Sequence, residues 1–389
     1  MKIGIVCYPT YGGSGVVATE LGLGLAKKGH DIHFITYKRP PRLIHFQENV
    51  YFHEVSGTSS ASYPLFEYTP YDTTLASKLV DVVLHEQLDL LHVHYAIPHA
   101  TVAYLAKMIL KEKGIDLPVI TTLHGTDITL VGQDKSFKPV VEFSINHSDG
   151  VTTVSENLKE KTYKNFDIHR DIRVVYNFID FTRFQPLDKK HFKKAIAPNG
   201  EKILVHTSNF RKVKRAEDVI HIFKQVHDVM PSKLLMVGDG PERTRLEELC
   251  RHMGLCDEIR FLGKQDAVEE LLAVSDLFII PSANESFGLA ALEAMACEVP
   301  VISSNVGGLP EVNIQGETGF LSDVGNVAEM GRNAIHILKD ENTLNGFRQK
   351  AYEQAKTFDI DNILPQYENY YMEVYNRVRS DGSVKVKMP

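Results

Sequence analysis

Two acidic residues around a glycine are the first candidates for chemistry. Glu285 and Glu293 are separated by seven residues and enclose the segment Phe287-Gly288-Leu289. A helix that begins near Gly288 leaves free N–H groups that can face a phosphate or a sugar, and both carboxylates can accept hydrogen bonds from hydroxyl groups. Acidic pairs at this spacing are also common on solvated helices. The cluster therefore favours a phosphate or sugar site, with a plain solvated helix as the alternative.

A basic segment could supply the matching cations. Four cations occur within the five residues Arg211–Arg215, after a predicted strand and before a helix expected from about Ala216. In that position Arg211 and Lys214 can neutralise a diphosphate and stabilise it as it departs. A solvated surface and a weak membrane patch are the alternatives. Gly238, after the next predicted strand, indicates another close approach of the backbone to a ligand.

A glycine-rich turn follows the first predicted strand. Gly13-x-Gly15 stands at the start of an expected helix over 14–28. Glycines let the backbone approach a ligand, and free N–H groups at a helix start favour an anion such as a diphosphate. The spacing also imitates a dinucleotide fingerprint, but the second predicted strand does not end in the acid that would bind the adenosine ribose. The turn therefore favours an anionic ligand, with a plain tight turn as the alternative.

Two further strand ends in the first half carry polar side chains. Tyr95 lies just past one strand end, and the next strand delivers His124, Thr126 and Asp127 in one turn. An imidazole and small polar groups at this edge are ready to bind hydroxyl groups or a carboxylate. In the alternative interpretation, Asp127 caps a helix and His124 is an ordinary loop histidine.

The histidines of the strand before Tyr95 raise the question of a metal ion. His92 and His94 are two residues apart, so they share one face of a strand and could converge on one ion. Neither a carboxylate nor a thiol completes the set nearby. A structural or hydrogen-bonding role is therefore the favoured interpretation.

All these candidates depend on strands and helices that place them at one edge. Short apolar runs alternate with stretches at helical spacing, which is typical of α/β architecture with buried parallel strands. This alternation of strands and helices begins again near Ile203. We therefore expect two doubly wound Rossmann-like domains that face each other across an interdomain cleft. Strands are predicted at 3–6, 32–36, 90–94, 119–122, 151–154, 172–175, 203–206, 234–237, 259–262, 277–280 and 301–303. The expected divisions are an N-terminal domain (1–180), a linker (181–202), a C-terminal domain (203–360), a helix that crosses back (361–380) and a tail (381–389).

Composition excludes several classes of protein. The 389 residues, at about 150 per domain, predict two domains. A net charge of −7, from 43 Lys and Arg against 50 Asp and Glu, argues against a dedicated nucleic-acid binder. The four cysteines form no paired motif and are expected to be reduced thiols, and no apolar run approaches ~18 residues. We therefore expect a cytoplasmic protein with no nucleic-acid partner and no stable membrane association.

Taken together, the motifs resemble the family-four retaining glycosyltransferases, which have the two-domain fold known as GT-B. The family's two glutamates separated by seven residues match Glu285 and Glu293. This match implies that Glu285 binds hydroxyls of the donor sugar and that Glu293 binds the nucleotide ribose. The phosphate-binding Arg and Lys of the family fall by position on Arg211 and Lys214. Where the family commonly has Gly-Arg, this chain has Ser-Asn at 208–209, so either Arg211 or Asn209 replaces the family's arginine.

Four strings are similar to the branch of this family that glycosylates L-malate. They are CYPTYGGSG from Cys7, HVHYAIPHA from His92, TTLHGTDIT from Thr121 and SNFRKVKR from Ser208. The resemblance implies transfer of GlcNAc from UDP-GlcNAc to the hydroxyl of L-malate with retention of configuration, the first step of bacillithiol biosynthesis. It also implies closure of the two domains around the substrates, suggests homo-oligomers, and implies that no metal or other cofactor is needed.

The resemblance and the residue patterns together assign the site residues. Catalytic roles are expected for His124, Arg211, Lys214 and Glu285. Donor binding is expected from Gly13, Gly15, Asn209, Gly238, Phe287, Gly288, Leu289 and Glu293. Acceptor binding is expected from Gly13, Ser14, Tyr95, Thr126 and Arg211.

The amino-acid sequence alone is also compatible with other functions. A UDP-GlcNAc 2-epimerase would keep the same fold and nucleotide, and a family-four transferase could use a different acceptor. A dehydrogenase depends on the glycine spacing of the first turn alone. A lipid-directed transferase is disfavoured by the acidic net charge and by the lack of an obvious basic amphipathic helix in the first half.

Overall fold

The computed structural model describes residues 1–10, 12–44, 46–56, 71–187 and 189–383. The chain divides into two compact units. The first unit consists of Met1–Tyr176 together with the chain from Asp361 onward, and the second consists of Asn177–Ile360. Each unit is built on one sheet flanked by helices. The two expected α/β domains are therefore confirmed.

The first unit contains a seven-stranded sheet whose neighbouring strands all pair in parallel. Its strands are β1 (Lys2–Val6), β2 (Asp31–Thr36), β3 (Val50–Glu54), β4 (Leu90–His94), β5 (Val119–Leu123), β6 (Gly150–Thr153) and β7 (Ile172–Val174). The strand order is β3-β2-β1-β4-β5-β6-β7. Every residue of β4 and β5 is buried, as expected where both faces of a parallel sheet are covered. The order switches direction between β1 and β4, where open α/β sheets bind ligands at the carboxyl ends of their strands.

Six α-helices belong to the described part of the first unit. They are α1 (Gly13–Lys27), α2 (Tyr71–Glu86), α3 (Thr101–Glu112), α4 (Lys138–His147), α5 (Glu156–Asn165) and the C-terminal helix α14 (Ile360–Ser383). The last of these is tied to the sheet by tyrosines. The Tyr370 hydroxyl accepts a hydrogen bond from the backbone N–H of Val151 at 2.9 Å, and the Tyr371 hydroxyl is 2.7 Å from Nδ1 of His92. These contacts make α14 part of the first unit.

The second unit contains a six-stranded sheet in the order β10-β9-β8-β11-β12-β13, again parallel throughout. The strands are β8 (Lys202–Ser208), β9 (Ser232–Gly238), β10 (Ile259–Gly263), β11 (Leu277–Ile280), β12 (Val301–Ser304) and β13 (Gly319–Ser322). The helices are α6 (Lys190–Ile196), α7 (Ala216–His227), α8 (Arg243–His252), α9 (Val268–Leu272), α10 (Leu289–Ala296), α11 (Leu309–Val312), α12 (Val327–Leu338) and α13 (Glu341–Lys356). A core of buried aliphatic and aromatic residues, including Phe223 and Ile279, joins the helices to the sheet.

The structure differs from the expected divisions at three places. Residues 181–202, expected as a linker, contain α6 and belong to the second unit, whose first residue is Asn177 rather than a residue after 180. Helix α14 continues to Ser383, so the expected tail begins later than residue 381. Residues 384–389 of that tail lie outside the described residues. Polar composition misled the prediction in both segments, because α6 buries only Ile196 and the end of α14 is polar.

All eleven predicted strands are present, but two further strands, β3 and β13, were not predicted. The four cysteines lie within the described residues and carry free thiols, as expected. Across the part of the chain that the structure describes, no helix combines the length and the apolar character needed to cross a bilayer.

Candidate active site

In the second unit, the basic segment and the glutamate segment meet. Nζ of Lys214 donates a hydrogen bond to Oε2 of Glu285 at 2.6 Å. A backbone hydrogen bond from Ala283 N–H to the carbonyl of Val213, at 2.8 Å, aligns the two loops. The two charged side chains remain 22% and 15% exposed, so the pair stays within reach of a ligand. Two of the predicted catalytic residues are therefore direct neighbours.

The helix start predicted beside Glu285 is present. Gly288, with φ of +102°, precedes α10 and accepts the first helical hydrogen bonds from the N–H groups of Ala291 and Leu292. The preceding amides, including that of Leu289, have no acceptor within the helix and are placed to meet an anion. Glu293 lies in the second turn of α10 and is partly exposed. Phe287 is buried, and its ring packs edge-on against Phe358 at 5.6 Å between centroids.

A glycine pair that sequence reasoning missed holds the Glu285 backbone. Gly308 donates its N–H to the carbonyl of Glu285 at 3.1 Å. Gly307 has φ of +60°, and a Cβ there would lie 1.6 Å from the same carbonyl oxygen. Both requirements restrict position 307 to glycine. Two consecutive glycines shortly after a predicted strand were the available signal.

Close backbone packing requires glycine at both positions in the loop at the end of β9. A Cβ on Gly238 would lie 1.8 Å from the carbonyl oxygen of Ser208, and one on Gly240 would lie 1.9 Å from that of Asn209. The turn after β9 thus packs directly on the turn after β8. Gly238 is required by this contact whether or not a ligand also approaches, so its predicted role in donor binding stays a prediction.

A buried histidine, also missed from the sequence, orients the turn that carries the cations. Nδ1 of His206 is 2.8 Å from the carbonyl of Ile279, and its Nε2 is 2.8 Å from Oγ of Ser208. Burial, with a smaller contribution from the positive charge of Lys214, lowers the pKa of His206 to about 4. The neutral ring therefore donates from Nδ1 and accepts from Ser208. Arg211, in the same turn, is exposed.

In the first unit, two residues predicted to bind the acceptor are in contact. The hydroxyl of Tyr95, at the end of β4, donates a hydrogen bond to Oγ of Ser14 in the first turn of α1, at 2.6 Å. Tyr95 has φ of +85°, which is rare for a residue with a side chain and marks a constrained backbone. The neighbouring Gly13 begins α1 and is exposed, so the helix start is open to an anion.

Gly15 supports the same turn through packing. A Cβ on this residue would lie 2.5 Å from the carbonyl oxygen of Tyr8 and 2.6 Å from that of Thr10. The loop after β1 thus lies against the first turn of α1. As for Gly238, the glycine is explained by this contact, and its predicted role in donor binding stays a prediction.

His124 lies at the end of β5 beside Tyr95, with 5.2 Å between ring centroids. Its Nε2 is 2.7 Å from Nδ1 of His94, and burial lowers the pKa of His124 to about 3. Nε2 of His94 is buried without a partner. Because a buried unpaired N–H is costlier than an unpaired acceptor, we assign the proton to Nδ1 of His94. His124 then accepts at Nε2 and carries its own proton on Nδ1, which is left to meet a ligand.

Asp127 fixes the loop that carries His124. Its carboxylate accepts hydrogen bonds from the N–H groups of Ala96 at 2.9 Å and Gly125 at 3.0 Å. Burial raises the pKa of Asp127 to about 6. This structural role differs from the helix cap of the alternative interpretation, because the Asp127 side chain joins the loops after β4 and β5. Thr126, between these residues, is exposed.

The hydrogen-bonding role expected for His92 is present. In addition to its contact with Tyr371, Nε2 of His92 is 2.6 Å from Oγ1 of Thr122, which in turn is 2.6 Å from Oγ1 of Thr152. Burial lowers the pKa of His92 to about 3, so the ring is neutral. Both ring nitrogens are used in a buried chain that links α14 to three strands.

Comparison with known proteins agrees with this arrangement. Residues 11–183 match the family model described as Glycosyltransferase Family 4, and residues 188–354 match Glycosyl transferases group 1. A curated relative, the N-acetyl-alpha-D-glucosaminyl L-malate synthase of Bacillus anthracis, is 47% identical over 99% of this chain and 100% of its own length. The chain belongs to the family-four glycosyltransferases.

Solved structures similar to this glycosyltransferase share its fold. Sucrose-phosphate synthase from Thermosynechococcus elongatus has a TM-score of 0.81 at 20% identity, over 97% of this chain and 100% of that one. HepE of Anabaena, solved in complex with UDP-glucose, has a TM-score of 0.80 at 20% identity, over 96% and 100%. The fold of this glycosyltransferase is therefore GT-B, as the resemblance to family four implied.

Proposed function

We propose that this glycosyltransferase transfers GlcNAc from UDP-GlcNAc to the hydroxyl of L-malate with retention of configuration, the first step of bacillithiol biosynthesis. The observation that carries the proposal is the 47% identity, over essentially the whole chain, to a relative named N-acetyl-alpha-D-glucosaminyl L-malate synthase. The contacts of the described residues supply a physical account of how each substrate is held.

The donor is assigned to the second unit. An ammonium group has three N–H donors, so Lys214 can keep its bond to Glu285 and still bind a phosphate oxygen. Glu285 keeps a free carboxylate oxygen for the sugar hydroxyls. The open amides at the start of α10 add positive potential for the diphosphate, and Glu293 one turn on accepts from the ribose hydroxyls. Arg211, being exposed, is free to turn toward the same phosphates.

The acceptor is assigned to the first unit. Malate is a small dianion with one hydroxyl, so its site needs N–H groups, hydroxyl groups and a cation. The Tyr95–Ser14 pair and the start of α1 provide the first two, and the exposed Thr126 adds another hydroxyl. In this proposal, His124 uses its Nδ1–H to hold the donor sugar, and Arg211 supplies the cation.

Retention follows from a displacement on one face of the sugar. The bond between the anomeric carbon and the β-phosphate oxygen breaks, and the malate hydroxyl oxygen bonds to that carbon on the same face. The hydroxyl proton passes to the departing phosphate oxygen, so no protein nucleophile is needed. Lys214 and the α10 amides stabilise the negative charge that develops on UDP, which is the role a divalent ion has in other transferases.

The test is release of UDP from UDP-GlcNAc in EDTA with L-malate, D-malate, glycerate or no acceptor, with the product mass measured. We expect release only with L-malate and a product with the mass of GlcNAc-malate. The anomeric proton coupling of the product then distinguishes retention from inversion. Release with a different acceptor would replace the malate assignment, and binding of UDP-GlcNAc without release for any of these acceptors would leave an epimerase or another acceptor.

The four free thiols support a reducing, cytoplasmic compartment for the enzyme.

The same preparations test metal independence and oligomeric state. Activity that is abolished by EDTA at an unchanged melting temperature, and restored by a divalent cation, would contradict the metal-independent mechanism. Sedimentation at assay concentrations measures whether the enzyme works as a homo-oligomer.

A further inference from the structure

Two imidazoles and a carboxylate converge in the first unit near the β3 edge of the sheet, and β1 separates their strands from those that precede Tyr95 and His124. His33 lies on β2, His53 lies on the edge strand β3, and Glu86 is the last residue of α2. One ligand atom from each lies within 4.8 Å of the other two. None of these residues has a place in the proposed transfer reaction.

The sheet register creates this juxtaposition. His33 pairs with Tyr51 and Ile35 pairs with His53, so the two histidines are diagonal neighbours on one face of adjacent strands. Nδ1 of His33 is 2.9 Å from Nε2 of His53. The ring of Tyr51 stacks on His33 with 4.6 Å between centroids and holds its orientation.

The spacing of the two nitrogens suits a small metal ion. Two ligands at about 2.0–2.1 Å from a tetrahedral zinc ion are about 3.3 Å apart, close to the 2.9 Å between the imidazoles. In the free protein a proton must occupy the space between these nitrogens, and an ion can replace it. Glu86 is half-buried at a helix end, so a change of rotamer can bring its carboxylate to the ion.

Burial favours the neutral form of both imidazoles. Burial and the neighbouring His53 lower the pKa of His33 to about 4, and burial lowers the pKa of His53. Both rings are therefore uncharged at neutral pH, as metal binding requires. His33 is 1% exposed, so its ring is held inside the protein. The other charges that face the pair are Lys2, Asp31, Lys78 and Asp81.

We propose that His33, His53 and Glu86 bind a divalent transition-metal ion, with Zn²⁺ the best match and water as the fourth ligand. Two nitrogens and one carboxylate suit zinc, whereas magnesium and calcium prefer sites made of oxygen. The bound ion joins the edge strand β3 to the end of α2. The ion has a structural role, so the test of this proposal does not depend on the transfer reaction.

The test is titration of the full-length, chelator-stripped protein with Zn²⁺ in competition with a chromophoric chelator. We expect one tight equivalent of zinc, and Co²⁺ at the same site should give the intense visible absorption of a four-coordinate ion. His53→Gln and Glu86→Gln, both at half-buried positions, should each weaken zinc binding by at least about tenfold. Zinc should also raise the melting temperature of the unaltered protein but not that of His53→Gln.

His85→Gln is the matched control, because His85 precedes Glu86, is 78% exposed and contacts Asp81 at 3.3 Å. This variant should bind zinc like the unaltered protein. Absence of a tight equivalent would overturn the proposal, and so would equal binding by the His53, Glu86 and His85 variants. Circular dichroism of each variant establishes that the fold is retained before binding is compared.

Discussion

Replacing Lys214 by methionine separates a catalytic role from a structural one. The substitution keeps most of the length of the side chain and removes its charge. In the free enzyme it breaks the 2.6 Å ion pair with Glu285, whose members are 22% and 15% exposed. A partly exposed pair of this kind contributes about 1 kcal/mol or less to stability. The expected fall in melting temperature is therefore only about 2–4 °C for a unit of this size.

The expected effect on turnover is much larger. In the proposed reaction Lys214 meets the negative charge that develops on the leaving diphosphate, and removal of one such electrostatic contact typically lowers kcat by about 10²–10³-fold. Because the contact strengthens as the bond breaks, the KM for malate should change little. The assay is initial-rate UDP release at saturating and limiting concentrations of each substrate, with a thermal melt of the same preparation.

Lys212→Met is the matched control, since Lys212 is an exposed lysine in the same helical turn. It should retain both turnover and stability. A Lys214→Met enzyme with the kcat of this control would refute the proposed role for Lys214. A loss of kcat that merely tracks a large loss of melting temperature would show that the ion pair holds the loops together and does not act on the leaving group.

Three further predictions concern the donor site, the loop behind it and the first unit. Glu293→Gln should raise the dissociation constant of UDP by about tenfold with little change in kcat, as measured by calorimetry and initial rates; an unchanged dissociation constant would remove Glu293 from the ribose site. Gly307→Ala should destabilise the second unit by at least ~2 kcal/mol in urea unfolding, because its Cβ would lie 1.6 Å from the Glu285 carbonyl oxygen, whereas Gly346→Ala, in open space on α13, should not. The free energy of unfolding should fall as the pH drops from about 6.5 toward 4, because the unfolded chain binds protons that neutral His92 and His124, with pKa values lowered to about 3, do not. Asp127, with a pKa raised to about 6, acts in the opposite sense over part of that range, and a urea midpoint that does not fall would contradict the buried, neutral state of the imidazoles.

Local sequence was sufficient to predict most of the strands and the positions of the motifs at their ends. Buried parallel strands such as Leu277–Ile280 are continuous apolar runs, and this signal does not depend on their neighbours. The two missed strands lack it. Val50–Glu54 is a half-exposed edge strand of mixed polarity, and Gly319–Ser322 has four residues, one of them glycine. The residue types at Glu285–Glu293 also pointed to a phosphate and sugar site before any fold was known.

Only the tertiary structure decided which of these residues meet. Lys214 and Glu285 are 71 positions apart, and Ser14 and Tyr95 are 81 apart, so their contacts depend on strand order and on the hydrogen bonds between loops. Two other contacts also depend on the fold. Position 307 must be glycine because of a carbonyl group in a different loop, and the partner of His33 lies on an edge strand. Side-chain spacing along a strand or helix is a local property that the sequence carries by itself. Distances between elements are set by the packing of the whole sheet, which no single segment encodes.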